Sequence, residues 1–162
     1  MKVLLISTYE LGHQPFGLAS PAAWLAERGH QVACQDLCVE SLDADTVREA
    51  GLVAFYLPMH TATRLAAKVI EKVRRLNPDA HICCYGLYAP LNESYLRGIG
   101  AGTILGGEFE PGLVSLAGRL AAGSPGGPQL EPLISLDRLR FHVPQRSGLP
   151  PIEKYAGLRI LR

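Results

Sequence analysis

Residues 2–8 read KVLLIST, with no polar residue from Val3 to Ile6. A strand with one face in water alternates apolar and polar residues. A continuous aliphatic run instead marks a strand covered on both faces, as in a parallel sheet. Four further strand-type runs follow: HQVACQDL (30–37), LVAFYL (52–57), AHICCYGL (80–87) and GTIL (102–105). Helical patterns separate them. In SPAAWLAERG (20–29), Ser20 reads as the N-cap, Pro21 as the first helical residue and Gly29 as the stop. LDADTVREAG (42–51), LNESYLRG (91–98) and EFEPGLVSLAGRL (108–120) are the others. The clearest helix spans 60–76, where Ala62, Leu65, Ala66, Val69, Ile70, Val73 and Leu76 recur at three- and four-residue steps until Asn77-Pro78 ends the pattern.

Five strand–helix units in succession predict a flavodoxin-like, three-layer α/β/α domain over residues 1–121. Its five-stranded parallel sheet would have the order 2-1-3-4-5, with Ile6, Val53, Phe55, Ile82 and Ile104 in the core. Residues 122–162 read as a Gly/Pro-rich linker, within AAGSPGGPQLEPL (121–133), and an extension with too few periodic apolar residues for a second domain.

With 162 residues and 48% hydrophobic content the chain can bury one core. Its formal charge of +1 gives no electrostatic reason to expect nucleic acid or an anionic membrane as partner. No apolar run is long enough to span a bilayer, and Met1-Lys2 leads into VLLIS without a cleavage site, so the expected location is cytoplasmic. The four cysteines (Cys34, Cys38, Cys83, Cys84) fall in or beside the apolar runs and read as buried reduced thiols.

Ligands of such a sheet bind at the carboxyl ends of its strands. The loops there are TYELGHQPF (8–16), YLPMHTATR (56–64), YGLYAPLN (85–92) and GGEFEPG (106–112). A phosphoryl receiver needs an Asp after the third strand, and Tyr56 stands there; Thr8 and Gly106 hold the other key places. The first loop has only Thr8 for a flavin phosphate, and G-x-G-x-x-G is absent. What remains is a set of large uncharged side chains (Tyr9, Phe16, Tyr56, Leu57, Met59, Tyr88) alternating with Gly12, Gly17, Gly86, Gly106 and Gly107. Glycines let backbone approach a bulky flat ligand, and aromatics and Met give adaptable apolar contact. The same aromatics equally suit covering the sheet's end or packing under the extension.

Residues 1–120 resemble the cobalamin-binding domain that precedes the catalytic core of cobalamin-dependent radical SAM enzymes. The resemblance is carried by ILGGEFEPGLVSLA (104–117), whose Gly107-Glu108-x-Glu110 matches a G-E-x-E turn, by PMHTATRLAAKVI (58–70) and by YGLYAP (85–90). VPQRSGLPPIEKY (143–155) is similar to the P-x-R-x-x-L-P segment that leads into the radical SAM barrel. The resemblance implies a barrel, with its C-x3-C-x2-C cluster motif, that would lie outside these 162 residues. Cys34-x3-Cys38 begins that spacing, but Ser41 stands at the third position, so no cluster is expected here.

The resemblance implies cobalamin bound with its base displaced, on Tyr9, Glu10, Leu11, Gly12, His13, Phe16, Tyr56, Leu57, Pro58, Met59, Gly86, Leu87, Tyr88, Gly106, Gly107 and Glu108. Gly86, Gly106 and Gly107 would open a groove for the nucleotide tail. S-adenosylmethionine and a 4Fe-4S cluster would belong to the barrel in cis, methyl transfer is the implied reaction, and this chain alone would not be catalytic. Related domains of the methionine synthase and mutase type carry D-x-H-x-x-G, whose His ligates cobalt. Aligning His13 puts Leu11 at the Asp and Phe16 at the Gly, with Gly17 one place late. His13 therefore stays open between cobalt ligand, pocket lining and solvated histidine. His60 reads as a helix-terminus residue, and Glu108 and Glu110 equally suit the positive end of their helix. Two rival readings are the N-terminal half of a two-domain glycosyltransferase, from KVLLIST and WLAERGHQV, and a non-catalytic protein-interaction domain.

Overall fold

The computed structural model describes residues 1–123, 133–140 and 142–155. Its strands are β1 (Lys2–Ser7), β2 (Gln31–Asp36), β3 (Leu52–Tyr56), β4 (His81–Tyr85), β5 (Thr103–Gly107) and β6 (Leu133–Ser135). The helices are α1 (Phe16–Glu27), α2 (Ala44–Glu49), α3 (His60–Leu76), α4 (Tyr88–Leu91), α5 (Glu93–Gly98) and α6 (Glu110–Ala121). All strand pairs are parallel, in the order β2-β1-β3-β4-β5-β6.

Two apolar layers explain why the strands are continuously aliphatic. The pleat sends successive side chains to opposite faces. Leu4, Ile6, Val53, Phe55, Ile82, Cys84 and Ile104 thus pack with Val47 of α2, Ala66, Ile70 and Val73 of α3, and Leu96 of α5. Val3, Leu5, Leu52, Ala54, Cys83, Tyr85 and Leu105 face Leu18, Ala22 and Leu25 of α1 and Leu113 and Leu116 of α6. The five residues expected in the core are all buried.

Three expectations need correction. The sheet has six strands, not five. β6 pairs Leu133 with Leu105, Gly106 with Ile134 and Gly107 with Ser135; three residues beside a Pro/Gly-rich stretch carry too little pattern to be read as a strand. Residues 124–132 of the expected linker, with 141 and 156–162 of the extension, lie outside the described residues.

Ser20 is not an N-cap. α1 begins one turn earlier, at Phe16 after Pro15, and contains Pro21 in its interior. An interior proline leaves the carbonyl four residues back without its amide partner. That carbonyl belongs to Gly17, and the buried hydroxyl of Tyr85 donates to it at 2.8 Å. Ser20 is buried instead and donates to Glu110 Oε1 at 2.7 Å, bracing α1 against α6. Gly29, with φ of 77°, ends the helical turn as expected.

The cysteines are free thiols, and Cys83 and Cys84 are buried, but Cys34 is half-buried and Cys38 exposed. The chain has left the sheet by Cys38, beyond the helix layers that cover Cys83 and Cys84 on the two faces of β4.

The extension does not project from the domain. Leu149 joins the core layer under α1, Gln145 N–H donates to the Ala19 carbonyl at 2.8 Å, and His142 meets Trp24 edge to face at 4.6 Å. A 3-10 turn (Ile152–Lys154) then brings Tyr155, 8% exposed, to the end of β2.

Candidate functional site

The loops after β1, β3, β4 and β5 meet at the carboxyl edge, as the topology requires. The first loop leaves β1 at Thr8, whose hydroxyl donates to the Ala62 carbonyl of α3 at 2.9 Å. It then turns on two left-handed residues, Leu11 at φ 53° and Gly12 at φ 78°, closed by His13 N–H to Glu10 C=O at 2.9 Å. A left-handed leucine is strained and persists only where its surroundings hold it. The turn presents Leu11 (61% exposed) and His13 to solvent, with Phe16 (44%) beyond them and Tyr9 half-buried.

The third and fourth loops are tied together by backbone. Leu57 N–H donates to Tyr85 C=O at 2.7 Å, and Tyr88 N–H to Leu57 C=O at 3.0 Å. Gly86 sits at φ 106°, and a Cβ there would lie 3.0 Å from the Leu57 oxygen. Leu57 is fully buried and Pro58 and Met59 half-buried, whereas Leu87 (71%) and Leu91 (73%) stand exposed. Leu11 follows β1 and Leu87 follows β4, two strand spacings away, so the apolar rim spans roughly 10 Å of the sheet's edge.

Below the rim, Tyr56, Tyr85 and Phe109 form an aromatic cluster with centroids 4.9–5.9 Å apart. The Tyr56 ring lies so close to Gly17 that a Cβ there would stand 2.3 Å from it. Burial first, then the charges of Glu10 and Glu110, push the Tyr56 phenol up to about 12.

Gly106 and Gly107 adjoin filled space. A Cβ on Gly106 would meet Pro90 at 2.5 Å, and one on Gly107 would meet the Ser135 backbone. Ser135 C=O also accepts from Glu108 N–H at 2.7 Å. Beside this turn, Leu105, Glu108, Phe109, Gly112, Ser115 and Leu133 line a cleft of ≈ 190 Å³. Glu110 is buried; its Oε2 has no partner, and burial, only partly offset by the Ser20 hydrogen bond, raises its pKa.

A second group joins Glu10, expected in the site, to Asp36 and Tyr155, which the sequence did not single out. Glu10, Asp36 and Tyr155 converge at the ends of β1 and β2. Asp36 is buried and accepts from Cys38 N–H at 3.1 Å, and its own N–H donates to Glu40 Oε1 at 2.8 Å. Burial, and then the Asp36 charge, push the Glu10 carboxyl up to about 7 against the pull of Arg146. The only available signal was an acidic residue closing an apolar strand; Tyr155 is more than a hundred residues away.

Among the described residues no group of three or more His, Cys, Asp or Glu side chains is placed to hold a metal ion. None of their helices is long and apolar enough to cross a membrane.

No protein-family model matches the sequence, and no curated protein matches it. Among solved structures the chain is similar to TsrM of Kitasatospora setae, a radical S-adenosylmethionine methyltransferase determined with its tryptophan substrate and an S-adenosylmethionine analogue, aza-SAM. The TM-score is 0.62 and the identity 19%, over 75% of this chain. The chain spans 26% of that protein's length. The likeness shows a shared fold, an α/β domain with a parallel sheet between helices.

Proposed function

We propose that the carboxyl edge of the sheet binds cobalamin with its base displaced, as the accessory domain of a radical S-adenosylmethionine enzyme. The observation that carries this reading is the apolar rim. Leu11 and Leu87 stand exposed on loops that backbone hydrogen bonds and left-handed glycines hold in place, and Phe16 stands exposed at the first residue of α1. Exposed leucines on a braced rim suit a wide flat ligand better than a phosphate or a metal ion. The fold shared with part of a radical S-adenosylmethionine methyltransferase supports it further.

The residues fit the macrocycle face, with Leu11, His13, Phe16, Met59 and Leu87 as its contacts. The tail is a narrower fit. The space beside Gly106 and Gly107 is taken by Pro90 and β6, which leaves the cleft at Glu108 and Phe109 as the opening for it. Bound there, cobalamin would supply a cobalt able to accept and pass on a methyl group. Leu11 stands where the D-x-H-x-x-G motif places the Asp that orients its His, so His13 lacks that particular partner.

S-adenosylmethionine and an iron–sulfur cluster would be held by a barrel in cis. The test is paired variants: Leu11→Asp and Leu87→Asp, both at exposed positions, should abolish co-elution of hydroxocobalamin on gel filtration without unfolding the chain. Retained co-elution in both would refute the rim.

A further inference from the structure

We infer that the returning segment 142–155 fixes the shape of the first loop through a clip made by Gln14, Arg146 and Pro150, and that Gln14 and Arg146 are therefore positioning residues for whatever binds on that loop. The inference rests on the proposed rim site for its ligand but not for the clip itself.

Gln14 lies directly after the strained turn at Leu11 and Gly12. Its side-chain amide uses both ends on the returning segment: Arg146 Nη1 donates to Gln14 Oε1 at 2.6 Å, and Gln14 Nε2 donates to Pro150 C=O at 3.0 Å. A guanidinium only donates and a carbonyl only accepts, so these partners fix the amide's orientation and leave it no equivalent flipped state. Arg146 also attracts the half-buried Glu10 carboxyl on the other side of the turn.

The segment is itself anchored. Gln145 N–H is bonded to Ala19 C=O, Leu149 and Pro150 are buried, and His142 Nε2 lies 3.1 Å from Glu27 Oε2. An anchored segment holding the residue that directly follows a left-handed turn supplies the surroundings such a turn needs to persist. Within the turn itself the backbone closes on His13 N–H to Glu10 C=O, and the side-chain bonds of Gln14 run to the returning segment.

The experiment is amide hydrogen exchange over residues 9–16 of the 162-residue chain, for wild type, Gln14→Ala, Arg146→Ala and Arg146→Lys, with hydroxocobalamin titrations on the same samples. Arg146 is exposed and Gln14 half-buried on the surface, so the urea midpoints should stay close to wild type. Exchange over 9–16 should accelerate about tenfold in both alanine variants. Arg146→Lys, which keeps a donor and a charge, should recover part of that protection. Hydroxocobalamin affinity should weaken in parallel. Unchanged exchange over 9–16 in both alanine variants, or acceleration spread evenly over the chain, would overturn the clip. Accelerated exchange with unchanged affinity would overturn the positioning role. If wild type binds no hydroxocobalamin while the exchange pattern holds, the cobalamin reading fails and the clip stands.

Discussion

The hydroxyl of Tyr85 occupies the place of the amide that Pro21 lacks, donating at 2.8 Å to the Gly17 carbonyl inside α1. This one contact lets α1 start a full turn before its proline, and so places Phe16 at the carboxyl edge. Tyr85→Phe should leave that carbonyl unpaired in the interior and cost about 1–3 kcal/mol. The melting temperature should then fall by several degrees, and Pro21→Ala, which restores an amide, should recover part of the loss in the double variant. Simple additivity of the two changes would show that the contacts are independent.

Ser20 and Glu110 form a buried pair in which only one carboxyl oxygen is satisfied. Ser20→Ala should strip the second and destabilise the chain by about 1–3 kcal/mol, whereas Glu110→Gln, which keeps an acceptor for Ser20, should cost less. Chemical denaturation of the two variants near neutral pH, where burial of the ionised carboxyl matters, ranks them.

Glu10 gives a pH dependence of defined sign. Its carboxyl is raised from an ordinary 4.5 to about 7 in the fold, so the folded chain holds this proton more tightly than the unfolded chain. The contribution of Glu10 to stability therefore falls as pH rises from about 4.5 to about 7. With the group only partly buried, the effect is on the order of 1 kcal/mol after solvent screening. Glu10→Gln should flatten the urea midpoint across that window; an unchanged slope would place the titrating group elsewhere.

Gly107 combines a φ of 63° with the Ser135 backbone packed against its missing side chain. Gly107→Ala should detach β6 while the five-stranded core persists, because β6 makes its ladder contacts only with β5. Loss of exchange protection at the Glu108 amide, which donates to Ser135, reads this directly.

Continuous aliphatic strands such as β1 and β3, and the periodic α3, were legible because burial on both faces, or on one stripe, leaves a pattern a few residues long. The start of α1 was not. Ser20-Pro21 is a sound local signal for a helix start, and it was overridden by Tyr85, whose hydroxyl bonds to Gly17, 68 residues earlier. The positions of the site loops followed from topology, and Gly86 and Leu87 landed where the strand order put them. Which loop residues face solvent did not follow: Leu57 and Leu87 look alike in sequence, yet one is fully buried and the other exposed. The roles of Gln14, Asp36 and Tyr155 depend on the extension folding back, and no local pattern records that.

The central claim is that the rim binds cobalamin, and a spectrophotometric titration of the folded 162-residue chain with hydroxocobalamin tests it most directly. The expected result is saturable binding at or below tens of micromolar, which asks for only about 6 kcal/mol, with a shift of the corrinoid bands that Leu11→Asp removes. No spectral change and no retained cofactor at that concentration, in the wild-type chain and equally in a longer protein that includes the radical S-adenosylmethionine barrel, would contradict the account.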